Sequence, residues 1–169
     1  MCLYNAKWVL DHEDDIICYK VLSPIDNQFK NFQNLETLTC PQVTYTIGKT
    51  NSIDYKRRKT SVIKCDLSNK ETPYITDGAY HSFVTLKDAI EYSKMNIWLD
   101  KYIVKCIIPK NSAYIFSGEY LKVNSWTYLS GDHKKYSLNA YASQKIKPIE
   151  IVAEVETHHG KSKITYLNK

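Results

Sequence analysis

The stretch Asp77-Gly78-Ala79-Tyr80-His81-Ser82-Phe83 brings an imidazole, a phenol and a hydroxyl together just ahead of a helix start. A helix N-terminus attracts anions, and segments between rigid elements often carry sites. The competing reading is a segment that only feeds the helix, with Phe83 in the core. Tyr19 and Lys20 on an early strand, with Ser143 on a late one, complete a ligand-binding set if the fold brings them to Tyr80 and His81. Three residues are candidates for catalysis. Cys2 would carry both an amine and a thiol if Met1 were removed, the logic of an N-terminal nucleophile, against an ordinary thiol beside a strand. His81 is a general acid or base. Glu150 is a carboxylate on a late strand. A basic run, Lys56-Arg57-Arg58-Lys59 after Tyr55, would grip phosphates while the ring stacks; a solvated loop is the plainer reading.

Other patterns dissolve on inspection. Gly48-Lys49-Thr50 and Gly160-Lys161-Ser162 look like the end of a phosphate loop, but the positions needing its first glycine hold Val43 and Val155. Turn glycines explain both. His158 and His159 are adjacent, and neighbouring residues of a strand point to opposite faces, so they do not share a metal ion. The five cysteines form no C-x-x-C pair, the closest two being Cys2 and Cys18. No metal and no cofactor are expected.

Elements that must position these groups follow from periodicity. The β-branched runs Ile16–Leu22, closed by Ser23-Pro24, and Tyr102–Ile108, closed by Pro109, read as strands. Val43–Ile47 and Ser61–Cys65 are short candidates. Ala113–Phe116 and Tyr120–Leu129 read as a pair around Ser117-Gly118-Glu119. In Ile149–Val155 the residues Ile149, Ile151, Ala153 and Val155 alternate with outward Glu150 and Glu154, and a turn at His158–Gly160 leads into Lys161–Leu167 as a C-terminal β-hairpin. One principal helix is predicted over 85–96. Thr85-Leu86-Lys87-Asp88 matches the N-terminal capping pattern, Leu86, Ala89 and Ile90 share a face, and Lys87, Asp88, Glu91 and Lys94 turn outward. The prediction is an α+β fold, mostly antiparallel β-sheet, in a single globular domain over 1–169.

Composition narrows the setting. A chain of 169 residues buries enough surface to need no staple. The net charge of +5 permits contact with nucleic acid without demanding it, and the only arginines are Arg57 and Arg58. The odd cysteine count, the absence of N-x-[ST] and the lack of a long apolar run point to a reducing, cytoplasmic setting, neither secreted nor in a membrane. The 14 tyrosines suit both strands and a contact surface.

An ordered set of segments then carries a resemblance: Met1-Cys2-Leu3, Asp15–Leu22, Tyr80-His81-Ser82-Phe83 leading into Leu86-Lys87-Asp88-Ala89, Val104–Lys110 with Tyr114, and Tyr141–Ile146. It resembles small proteins encoded by gut bacteria and their tailed phages. It covers about half the chain, leaves out residues 23–75, and implies a phage or mobile-element setting with no particular activity. A looser likeness is to ADP-ribosyltransferase-type folds, which place Arg or His on an early strand, Ser or Tyr before a helix and Glu on a late strand. That likeness implies a nucleotide-binding enzyme with Glu150 as the late glutamate. The early strand departs from it, offering Tyr19-Lys20.

With no dense catalytic set, the leading expectation is a non-enzymatic, phage-type accessory or interaction protein in the host cytoplasm or the virion. Its partner would be a host or viral protein or a small ligand, held around Tyr19, Lys20, Tyr80, His81 and Ser143. The alternatives are the nucleotide-binding enzyme and a weak nucleic-acid binder acting through Lys56–Lys59.

Overall fold

The structure is a computed structural model, and it describes residues 2–4, 7–9, 12–25, 28–31, 44–52, 74–75, 79–94, 101–117, 119–122, 134–136, 138–158 and 161–167. Its strands are β1 (Cys2–Tyr4), β2 (Lys7–Val9), β3 (Ile16–Ile25), β4 (Gln28–Asn31), β5 (Thr44–Tyr45), β6 (Asn51–Ser52), β7 (Tyr74–Ile75) and β8 (Tyr80–Phe83). After the helix α1 (Leu86–Lys94) come β9 (Lys101–Ile108), β10 (Tyr114–Ser117), β11 (Glu119–Lys122), β12 (Lys134–Tyr136), β13 (Ala140–Ser143), β14 (Lys145–His158) and β15 (Lys161–Tyr166). The architecture is α+β, with antiparallel sheet throughout and one helix among the described residues.

The larger sheet runs β15-β14-β9-β3-β8-β13-β10-β2, with β4 and β5 branching from β3 and β6 from β14. A smaller sheet runs β12-β11-β1-β7. The β-branched runs Ile16–Leu22 and Tyr102–Ile108 are register partners at the centre, from Ile16↔Ile108 to Leu22↔Tyr102. Both faces of this centre are covered, and alternation divides them. Val21, Ile103 and Phe83 pack on the helix side with Ala89 and Ile90. Cys18, Leu22, Val104, Cys106 and Ile108 pack on the other, with Tyr45 and Tyr80.

The helix begins as the capping pattern requires. The Asp88 N–H donates to Thr85 Oγ1 at 3.1 Å, and the Thr85 hydroxyl donates to Asp88 Oδ2 at 2.7 Å. This reciprocity changes one expectation: Asp88 is buried, because its carboxylate folds back onto Thr85. Lys87, Glu91 and Lys94 are exposed, and Ala89 and Ile90 are buried. The helix is described to Lys94, so an end at residue 96 lies outside the described residues. At its other end the fully buried Lys101 donates from Nζ to the Ser93 carbonyl at 2.7 Å, a cation satisfying the last turn. Thr85→Ala is expected to destabilise the protein by about 1 kcal/mol, because it removes both halves of the cap. Urea denaturation measures it; an unchanged midpoint would show that the cap carries no stability.

Three strand boundaries differ from the sequence pattern. β3 does not stop at Ser23-Pro24 but runs on to Ile25, pairing Ser23↔Lys30 and Pro24↔Phe29. Proline lacks only a donor, and its φ suits an extended chain wherever the neighbour needs no N–H. Of Val43–Ile47, Val43 lies outside the described residues, and Thr44–Tyr45 form a strand before a turn in which Gly48 holds φ +82°, a left-handed conformation that suits glycine. β10 and β11 do not pair with each other: β10 lies between β13 and β2, and β11 between β1 and β12, in different sheets. The C-terminal hairpin is present as β14–β15, registered from Ala153↔Tyr166 to His158↔Lys161. β14 is 14 residues long and carries register shifts between Pro148 and Glu150 and between Ile151 and Ala153, so its alternation is interrupted. The candidate strand Ser61–Cys65 lies outside the described residues.

Candidate binding face

The sheet forks at β3. One edge of β3 is taken by β9 from Ile16 to Leu22. On the other edge β8 touches at a single register pair, Tyr19↔Phe83, and β4 takes over from Leu22 onward. Strand β8 therefore peels away where β4 begins. Lys20 occupies the crotch. It is 5 % exposed, yet its ammonium is held: Nζ donates to the His81 carbonyl at 2.5 Å and lies 5.1 Å from the centroid of the Tyr45 ring. Tyr45 comes from the β4–β5 branch and meets Tyr80, from the β8 branch, edge to face at 6.1 Å. A cation and two phenol rings thus join two branches whose ladders have separated.

The five residues expected to bind a ligand are neighbours in space, but alternation splits them. Lys20, Tyr80 and Ser143 point to the face away from the helix, while Tyr19 and His81 point to the helix side. Tyr80 and Ser143 are register partners, and the buried Ser143 hydroxyl lies 3.3 Å from the Tyr80 carbonyl and 2.9 Å from that of Lys145. These polar groups point at main-chain carbonyls and help hold the strands together.

Glu150 belongs to a different group. It lies opposite Lys105, which lies opposite Tyr19, which lies opposite Phe83, a single row across four strands. Lys105 Nζ is 3.0 Å from Glu150 Oε1, and this hydrogen bond, with the charge behind it, raises the Lys105 ammonium above its usual range. In the ADP-ribosyltransferase-like reading the late glutamate is therefore ion-paired. Cys2 lies mid-sheet, its backbone paired with Leu121 on one side and Ile75 on the other. The basic run Lys56, Arg57, Arg58 and Lys59 lies outside the described residues.

Sequence reasoning missed a row of rings on the face away from the helix. Tyr114 and Phe116 of β10 flank Tyr141 of β13, with centroid distances of 5.4 Å (Tyr114–Tyr141) and 5.7 Å (Phe116–Tyr141). His12 closes the row edge-on against Tyr114 at 5.3 Å. All four are half-buried. Burial, then the neighbouring Tyr114 and Cys18, push the Tyr141 hydroxyl up, so it stays a neutral donor. His12 is well fixed: its Nδ1 faces the Asp14 carbonyl at 2.5 Å and its Nε2 the Ser112 carbonyl at 3.0 Å. The 109–113 corner is further tied by the Lys110 N–H to Asp15 Oδ1 at 2.8 Å and the Asn111 N–H to the His12 carbonyl at 3.1 Å. The two-residue spacing Tyr114-x-Phe116 was the available signal. What it lacked was the knowledge that β13 and the His12–Asp15 loop lie alongside.

Among the described residues no group of three or more metal-binding side chains converges, and no helix is long and apolar enough to cross a membrane. Comparison with protein-family models, with curated proteins and with solved structures returned no match.

Proposed function

We propose that the chain is a non-enzymatic binding protein that holds a partner protein or a small ligand on the ring face of β10 and β13. The observation that carries this reading is the row His12–Tyr114–Tyr141–Phe116. Its rings are half-exposed, packed against one another, and carried on strands whose other face is core, at Ile115, Ala140 and Ala142. Rigid amphipathic rings supply contact area at low entropic cost, and tyrosine is the residue type binding surfaces favour. The polar groups of the fork, by contrast, point at main-chain carbonyls. The resemblance to small proteins of gut bacteria and their tailed phages is what suggests a phage-type accessory role in the host cytoplasm or in a particle.

The test compares the wild-type chain with Tyr141→Ala and, as a control distant from the rings, Lys163→Ala. Each is immobilised and exposed to host extract and to a library of small planar compounds. Partners retained by the wild type and the control are expected to lose at least about tenfold in affinity for Tyr141→Ala, as for a buried aromatic anchor. Thermal melts confirm that each variant is folded. A wild-type chain that retains nothing, or a Tyr141→Ala variant that retains the same partners equally well, would sink the proposal.

A further inference from the structure

Cys18 and Cys106 are both free, both 0 % exposed, and register partners on the central strands β3 and β9. Residues directly opposite one another in an antiparallel pair have Cα atoms about 4.5–5.5 Å apart. That lies inside the roughly 4.4–6.8 Å a disulfide spans. The two thiols are also close enough to hydrogen-bond to each other. Their surroundings are unequal. Beside Cys18 stand the Lys20 ammonium and the Ser82 hydroxyl, which is fully buried and whose Oγ has no hydrogen-bond partner. Cys106 instead directs its sulfur at the Val104 carbonyl, 3.6 Å away. Burial pushes both thiols up. At Cys18, the neighbouring Cys106 thiol, the Ser82 hydroxyl and the Lys20 ammonium outweigh it and lower the thiol; at Cys106, the contact with Cys18 and burial both raise it. The Lys20 ammonium, two residues along on the same face of β3, favours a thiolate at Cys18.

We propose that Cys18 and Cys106 form a reversible dithiol–disulfide couple, oxidised by peroxide, that staples the two central strands. The Cys18 thiolate attacks one oxygen of hydrogen peroxide. An S–O bond forms, the O–O bond breaks, and the departing hydroxide takes up the proton Cys18 released, giving water. The Cys106 sulfur then attacks the sulfenic sulfur of Cys18. The S–S bond forms, the S–O bond breaks, and the Cys106 proton leaves with the hydroxide as a second water. The two thiols together lose two electrons, which reduce the peroxide to two waters. A dithiol reductant reverses the reaction by exchange.

The full-length chain, reduced and then treated with hydrogen peroxide under native conditions, tests this by blocking of free thiols and peptide mapping. A linked peptide pair containing Cys18 and Cys106, lighter by two hydrogens and restored by a dithiol reductant, is expected. In Cys106→Ala a sulfenic-acid probe is expected to label Cys18; in Cys18→Ala it is expected to leave Cys106 unlabelled. Thermal melts of both variants establish that they are folded. No Cys18–Cys106 link under conditions that oxidise other thiols of the chain would overturn the proposal. So would a link that appears only in denaturant, or preferential labelling of Cys106.

Discussion

Replacing Phe83 by Ala is expected to lower the unfolding free energy by about 3–5 kcal/mol, the range for deleting a buried ring. Phe83 is 2 % exposed and packs in the helix-side core with Val21, Ala89, Ile90 and Ile103. Its ring lies 4.8 Å from that of Tyr92 on α1. It is also the residue through which β8 registers against β3. The substitution therefore opens a cavity between sheet and helix at the point where the sheet is held by its shortest ladder. A typical domain has only about 5–15 kcal/mol in total. The variant is accordingly expected to be marginal at room temperature, with its urea midpoint displaced far more than that of Thr85→Ala. Phe83→Leu keeps most of the volume and is expected to lose less than about 1.5 kcal/mol. If Phe83→Ala loses under about 1 kcal/mol, the β3–β8 junction is not a packing centre.

At the fork, Lys20→Ala is expected to be severe and Lys20→Met mild, and the difference decides what the ammonium does. Burying a charge is costly, and a substitution that removes it recovers part of that cost. Against this stand a charge-assisted hydrogen bond, worth about 1.5–3 kcal/mol net, and a desolvated cation–ring contact of about 2 kcal/mol. Methionine fills the same space, so Lys20→Met isolates the electrostatic balance and is expected to destabilise by about 1–2 kcal/mol. Lys20→Ala adds a cavity and leaves the His81 carbonyl without its ammonium donor, for an expected loss of about 3–5 kcal/mol. Both are read from urea denaturation followed by tyrosine fluorescence. A Lys20→Met protein as stable as wild type would mean that steric filling by the side chain holds the branches together, with the charge incidental.

The same residues mark the boundary between what local sequence decides and what it does not. The β-branched runs at Ile16–Leu22 and Tyr102–Ile108, the cap at Thr85 and Asp88, and the final hairpin were all legible, because each is specified by side chains within a few positions of one another. Their ends were less so: Pro24 continues a strand because of what β4 asks of it, and Asp88 is buried because its cap partner draws it in. Strand partnership was not legible at all beyond the final hairpin. Glu119 follows Ser117 almost at once, yet β10 and β11 enter different sheets, each paired with strands distant in sequence. By itself the sequence determined an antiparallel α+β protein with one capped helix, and it brought Tyr19, Lys20, Tyr80, His81 and Ser143 under suspicion as a group. Only the tertiary structure decided that alternation sends His81 to one side of the sheet and Lys20 to the other. It also made Cys106 the neighbour of Cys18, and Tyr141 that of Tyr114. Local periodicity sets which way a side chain points along its own strand, but its neighbours across the sheet are set by pairings between segments dozens of residues apart.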